Sequence, residues 1–160
     1  MPDLNRTIVA AFAGLLLSLS AFAAGTTDFS GTWVLNTDKG QNLGMVKAVD
    51  ESIVVTQSAD KLVVDFTSKF MMKTTRRQVS YDLKGGPVPN EGAMGDKAQT
   101  VAKWVNGKLV VTWTSEGAVA GSTTVKTETR WLSADGNEMS VETVRANKPP
   151  MVLVYDKQKK

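Results

Sequence analysis

Gln99-Thr100-Val101-Ala102-Lys103-Trp104-Val105-Asn106-Gly107-Lys108-Leu109-Val110-Val111-Thr112-Trp113-Thr114-Ser115 decides the fold. Two runs rich in β-branched and aromatic residues flank Asn106-Gly107. A two-residue hairpin turn needs positive φ at both central positions, which Asn and Gly tolerate best. The stretch therefore reads as two antiparallel strands and a tight turn. Working outward, the phrase Asn106-Gly107-Lys108-Leu109-Val110-Val111 resembles Ala59-Asp60-Lys61-Leu62-Val63-Val64. The spacing of such phrases is irregular, so they reflect recurring hairpin chemistry and not a repeat protein.

The same alternation extends along the chain. In Lys61 to Phe70, Leu62, Val64, Phe66, Ser68 and Phe70 share one face of a half-buried strand. Thr74 to Leu83 sets Val79, Tyr81 and Leu83 against Arg76, Gln78, Ser80 and Asp82. Gly31 to Asn36, Ser52 to Gln57, Ser122 to Leu132, Glu138 to Ala146 and Met151 to Lys157 read as further strands. Residues 37–51 have room for one helical turn but not for two helices. Residues 84–98 contain Gly85-Gly86-Pro87, Pro89-Asn90, Gly92 and Gly95, and are expected to be a loop without regular structure, either a flap over one mouth or a long connection. About nine strands in sequential order, with no helical period, predict an all-β fold. An antiparallel up-and-down meander closing into a β-barrel of about eight to nine strands removes its exposed edges. A β-sandwich is the alternative, although it usually needs longer crossovers.

Ahead of the strands, Thr7 to Phe22 is almost wholly apolar or small and ends in Ala21-Phe22-Ala23, a small-x-small cleavage pattern. The run is short for a membrane span. Residues 1–23 are expected to be a signal peptide cleaved after Ala23, and residues 24–160 one β-barrel domain. An uncleaved N-terminal anchor is the alternative. The expected compartment is periplasmic or extracellular, with no stable membrane insertion after cleavage.

Composition narrows the chemistry. The 160 residues include no cysteine and no histidine. That excludes disulfides, thiolate metal sites, a cysteine nucleophile and the commonest general base. No cofactor and no metal are expected. The net charge of +3 equals the contribution of Lys157, Lys159 and Lys160. The domain itself is balanced, and nucleic acid is not an expected partner. Asp60, Asp65, Asp82, Glu128, Glu138 and Glu142 are spread over turns and polar faces, a pattern expected of surface carboxylates rather than an acid–base pair.

Phe29-Ser30-Gly31-Thr32-Trp33-Val34-Leu35 carries a family resemblance. Its Gly-x-Trp at the start of the first strand resembles the lipocalin signature. The Phe-x-Gly-Thr-Trp opening and the Val154-Tyr155-Asp156-Lys157 ending look like those of fatty-acid-binding proteins. The chain is most similar to a group of small secreted bacterial lipocalin-like proteins that share this opening after a signal peptide. The resemblance implies a lipocalin-like barrel in which Trp33 plugs the closed end. Lys157 or Arg130 would then lie across its ring, a contact worth about 0.5–2 kcal/mol. The chain departs from fatty-acid-binding proteins in two places. Leu153 stands where their ligand-holding arginine precedes a last-strand tyrosine, here Tyr155, and residues 37–51 are too short for their helical lid.

In such a barrel one face of each strand lines the interior. Phe66, Phe70, Tyr81, Trp113, Leu153 and Tyr155 are the candidate ligand-binding residues, with Met71, Met72 and Met94 near a rim. The same side chains would serve equally as barrel filling. Lys126, Glu128 and Arg130 alternate with Thr127, Thr129 and Trp131. Either the charged face meets solvent, or it turns inward, making Arg130 an anchor for an anionic ligand and sending Trp131 outward. The expected function is non-enzymatic binding of a small, mainly hydrophobic molecule. The alternative is a filled barrel acting as an envelope interaction or stability module. An interior void above roughly 300 Å³ would favour the former.

Overall fold

A computed structural model describes residues 26–159. The expected leader and its cleavage point after Ala23 lie outside the described residues. Ten strands follow one another: β1 (Gly31–Leu35), β2 (Asp50–Gln57), β3 (Lys61–Phe70), β4 (Lys73–Asp82), β5 (Val88–Glu91), β6 (Lys97–Val105), β7 (Lys108–Glu116), β8 (Thr123–Leu132), β9 (Glu138–Arg145) and β10 (Met151–Lys157). A single 3₁₀ turn, Gly44–Ala48, occupies the segment expected to hold no more than one helical turn. The sheet order is β4-β3-β2-β1-β10-β9-β8-β7-β6-β5 and every ladder is antiparallel. The meander is thus a nearly closed barrel, with one seam between β4 and β5.

The tenth strand is β5, inside the segment expected to be irregular. Pro89 cannot donate to a ladder, which argues against a central strand. At a sheet edge the missing donor costs nothing, and β5 pairs only with β6, Pro89 lying opposite Gln99. The seam is closed by a side chain instead of a backbone ladder. Asn90 accepts from Ser80 N–H at 2.9 Å and donates to Ser80 C=O at 2.8 Å, copying a rung of sheet. It also donates to Thr100 Oγ1 at 2.7 Å. Residues 84–98 thus add β5 and the start of β6 to the wall, between a turn at the closed end (84–87) and the 92–96 turn at the opening.

Because consecutive strands alternate in direction, their connections fall at two ends. The closed end carries the turns at 58–60, 83–87, 106–107 and 133–137. Asn106 and Gly107 have φ of 49° and 76°, the hairpin geometry that their identity requires. Residues 26–30 strap across this end. Thr27 Oγ1 donates to Gly107 C=O, while Gln57 donates to Thr27 C=O and accepts from Phe29 N–H. Phe29 is fully buried and stacks on Trp104, ring centroids 6.0 Å apart. Trp33, Leu62, Leu109 and Met139 fill the space beneath it, each 0% exposed. Burying such a side chain contributes about 1.5–3 kcal/mol each.

Trp33 donates its indole N–H to Phe29 C=O, and Lys157 Nζ lies 5.1 Å from its ring centroid. Lys157, not Arg130, covers the tryptophan. Gly31 makes this possible, since a Cβ there would lie 3.2 Å from Lys157 Cε. The Gly-x-Trp spacing thus has a packing reason.

Candidate functional site

The other half of the barrel, toward the 71–72, 92–96, 117–122 and 146–150 connections, is not filled. It encloses a cavity of about 180 Å³. Phe66, Tyr81, Trp113, Arg130, Leu153 and Tyr155 all line it. Phe70 does not: it stands 36% exposed at the tip of β3, opposite Lys73. Its place in the alternation is inward, but the β3–β4 hairpin overruns the barrel wall, so that face meets solvent.

The charged face of β8 turns inward, contrary to the solvent-face reading. Register fixes this. Arg130 lies opposite Leu109 and Val141, Glu128 opposite Val111 and Thr143, and Lys126 opposite Trp113 and Arg145. Leu109, Val111, Trp113, Val141 and Thr143 are all buried, so their β8 neighbours share the interior. Glu128 accordingly leaves the set of expected surface carboxylates. Trp131 is half-buried on the outside, its ring 4.4 Å from Lys108 Nζ.

The interior is more charged than the sequence reading supposed. Among the described residues, Arg77, Lys126, Arg130 and Arg145 line the cavity against two carboxylates, Glu51 and Glu128. Period two could have found Glu51 and Arg77, since Glu51 shares a face with Ile53 and Val55, and Arg77 with Val79 and Tyr81. Most of these groups have partners. Glu51 accepts from Tyr155 Oη at 2.7 Å and from Ser68 Oγ. Lys126 Nζ is 3.2 Å from Glu128 and 4.2 Å from the Trp113 ring centroid. The Arg77 guanidinium lies 4.0 Å over Phe66. Burial, with Glu51 or Glu128 close by, pushes the Tyr155 and Tyr81 hydroxyls above their ordinary range and keeps both neutral.

Two donors stand apart. Arg130 is 3% exposed, and among the described residues no carboxylate lies within 4.0 Å of its guanidinium. Its one side-chain contact of hydrogen-bond kind is Met139 Sδ at 4.0 Å, a weak acceptor. Trp113 Nε1 is buried with no partner. A buried cation without a counter-ion and an orphaned N–H are both costly. An anionic group in the cavity would offset both.

No protein-family model matches the chain, and no curated protein matches its sequence. Solved structures do match it. The wild-type fluorescent protein UnaG superposes with a TM-score of 0.66 at 18% identity, covering 81% of this chain and 97% of that one. Fatty-acid-binding protein 1 of Echinococcus granulosus gives 0.62 at 21% identity, covering 82% and 98%. Human cRBP IV gives 0.63 at 16% identity, covering 82% and 99%. At such identities the similarity speaks for fold. The chain has the calycin-type antiparallel barrel seen in fatty-acid-binding proteins.

Proposed function

We propose that this chain is an exported, non-enzymatic barrel, periplasmic or secreted, that binds a small amphipathic molecule: a mainly apolar body with an acidic group facing Arg130. The observation that carries this is the buried arginine without a carboxylate, at the floor of a cavity whose cations outnumber its carboxylates. The lipid-binding names among its fold neighbours support the apolar part. The apolar leader ending in Ala21-Phe22-Ala23 supports export. Protein recovered from exporting cells is expected to begin at Ala24, as read by N-terminal sequencing.

Titrating delipidated protein with a short-chain carboxylate and with the matching alcohol, followed by tryptophan fluorescence, tests the ligand. The carboxylate is expected to bind more tightly. Arg130→Met should weaken it by about thirtyfold or more, the low end for truncating one partner of a buried charge pair, while leaving the alcohol nearly unchanged. Equal affinities for acid and alcohol, both indifferent to Arg130→Met, would sink this reading. One observation favours the filled-barrel module instead: the void of about 180 Å³ is smaller than the roughly 300 Å³ of ordinary ligand pockets. Capture of a specific envelope protein, with no ligand response, would favour that role.

A further inference from the structure

The two ends of the barrel present different surfaces. Met45, Met71, Met72, Met94 and Val119 are 79%, 79%, 98%, 93% and 71% exposed, and all stand at the cavity end. They occupy four separate connections there. Among the described residues, the most exposed large apolar side chain at the closed end is Val105, at 48%. Large apolar side chains held this far into water, several together and on one side, mark an interaction surface. Met71 even takes a φ of 53°, uncommon for a non-glycine residue, at the tip of its hairpin.

Charge indicates what the surface meets. Exposed Lys47, Lys69, Lys73, Arg76, Lys97 and Lys148 surround the apolar tips, against exposed Asp50, Glu91, Asp96 and Glu116. Arg145, also exposed, adds to the cationic excess where the cavity opens. A second copy of the chain would set two such cationic rims against each other. The tips are separate projections rather than the walls of a groove, so they do not suit one helix or strand. We propose that this end docks onto an anionic lipid surface, the methionine tips entering the boundary between headgroups and acyl chains while the lysines meet the phosphates. The cavity mouth would then face the bilayer. The proposal stands on the surface alone and does not depend on the ligand reading.

The chain has no cysteine, so one can be placed anywhere as a unique label site. Met72→Cys, Met94→Cys and Lys84→Cys are each tagged with an environment-sensitive fluorophore, Lys84 lying at the closed end. With mixed phosphatidylglycerol–phosphatidylcholine vesicles, the labels at 72 and 94 should shift to the blue and the label at 84 should not. Phosphatidylcholine vesicles alone, high salt, or Lys73→Glu with Arg76→Glu should abolish the shift. The labels read which end meets lipid, whatever residues 1–25 contribute to binding. No shift at 72 and 94, an equal shift at 84, or a shift that grows with protein concentration without vesicles would each overturn the proposal, the last by showing self-association.

Discussion

Tyr81 and Tyr155 are the only tyrosines in the chain, and both are 1% exposed. Burial raises both hydroxyls above the ordinary value of 10.0. A raised pKa means that the folded state holds its protons where the unfolded chain releases them. Stability is therefore unaffected below 10.0 and falls as pH climbs beyond it. In an alkaline titration, tyrosinate absorbance should appear together with loss of β circular dichroism. Tyrosinate absorbance rising first, with the fold intact, would contradict the burial. At this scale the sequence was legible where one residue type has one use. Trp33 meets Lys157 over Gly31, one of the two contacts that the family resemblance implied. Arg130 was not legible, because alternation groups residues by face without saying which face is inside. On β8 both faces are mixed, and an aromatic on the wrong one, Trp131, pulled toward the solvent-face reading. Only pairing with Leu109 and Val141 resolves it, and pairing is not local.

Among the elements, β5 is held to β4 by Asn90. Asn90→Ala would leave Ser80 N–H and C=O without that partner and Thr100 Oγ1 with one bond fewer. A loss of about 1–3 kcal/mol is expected. Amide exchange should quicken locally, at 78–82 and 88–91, before the remaining ladders open. Uniform quickening around the whole barrel would show that the seam is not a separate weak point. The Asn106-Gly107 hairpin could be read directly because its turn chemistry is written in two adjacent residues. β5 could not. Proline and glycine density argues against a strand, and the edge position that excuses Pro89 belongs to the finished sheet. Its closing contact uses a side chain where sequence patterns look for a backbone.

Across the whole molecule, one half is packed and the other is open and charged. The packed half is fastened outside by carboxylates. Asp156 accepts from Lys39 and from Asn36, which hold it below its ordinary value. Asp135, bound by Ser133 and Asn137, is lowered to about 2. Lowered carboxylates stabilise the fold above their unfolded value of 3.8, and that contribution fades as pH falls toward 2. The denaturation midpoint should therefore hold level down to about 3.8 and then decline. A midpoint that rose on acidification would refute the assignment. The open half was legible as a fold but not as a surface, since exposure at a loop tip depends on how far each hairpin overruns the wall.

The pairing of β1 with β10 has a kinetic side. Asn36 and Asp156, which fasten these strands, are 120 residues apart in the chain. A polypeptide made from its N-terminus forms neighbouring hairpins as it emerges, yet β1 waits with one edge bare until the last strand arrives. Until then Val34 and its neighbours on β1 remain an unpaired edge, open to the wrong partner. The ring is therefore completed in a single late event, and any delay in finishing the chain lengthens the time during which it can misassemble.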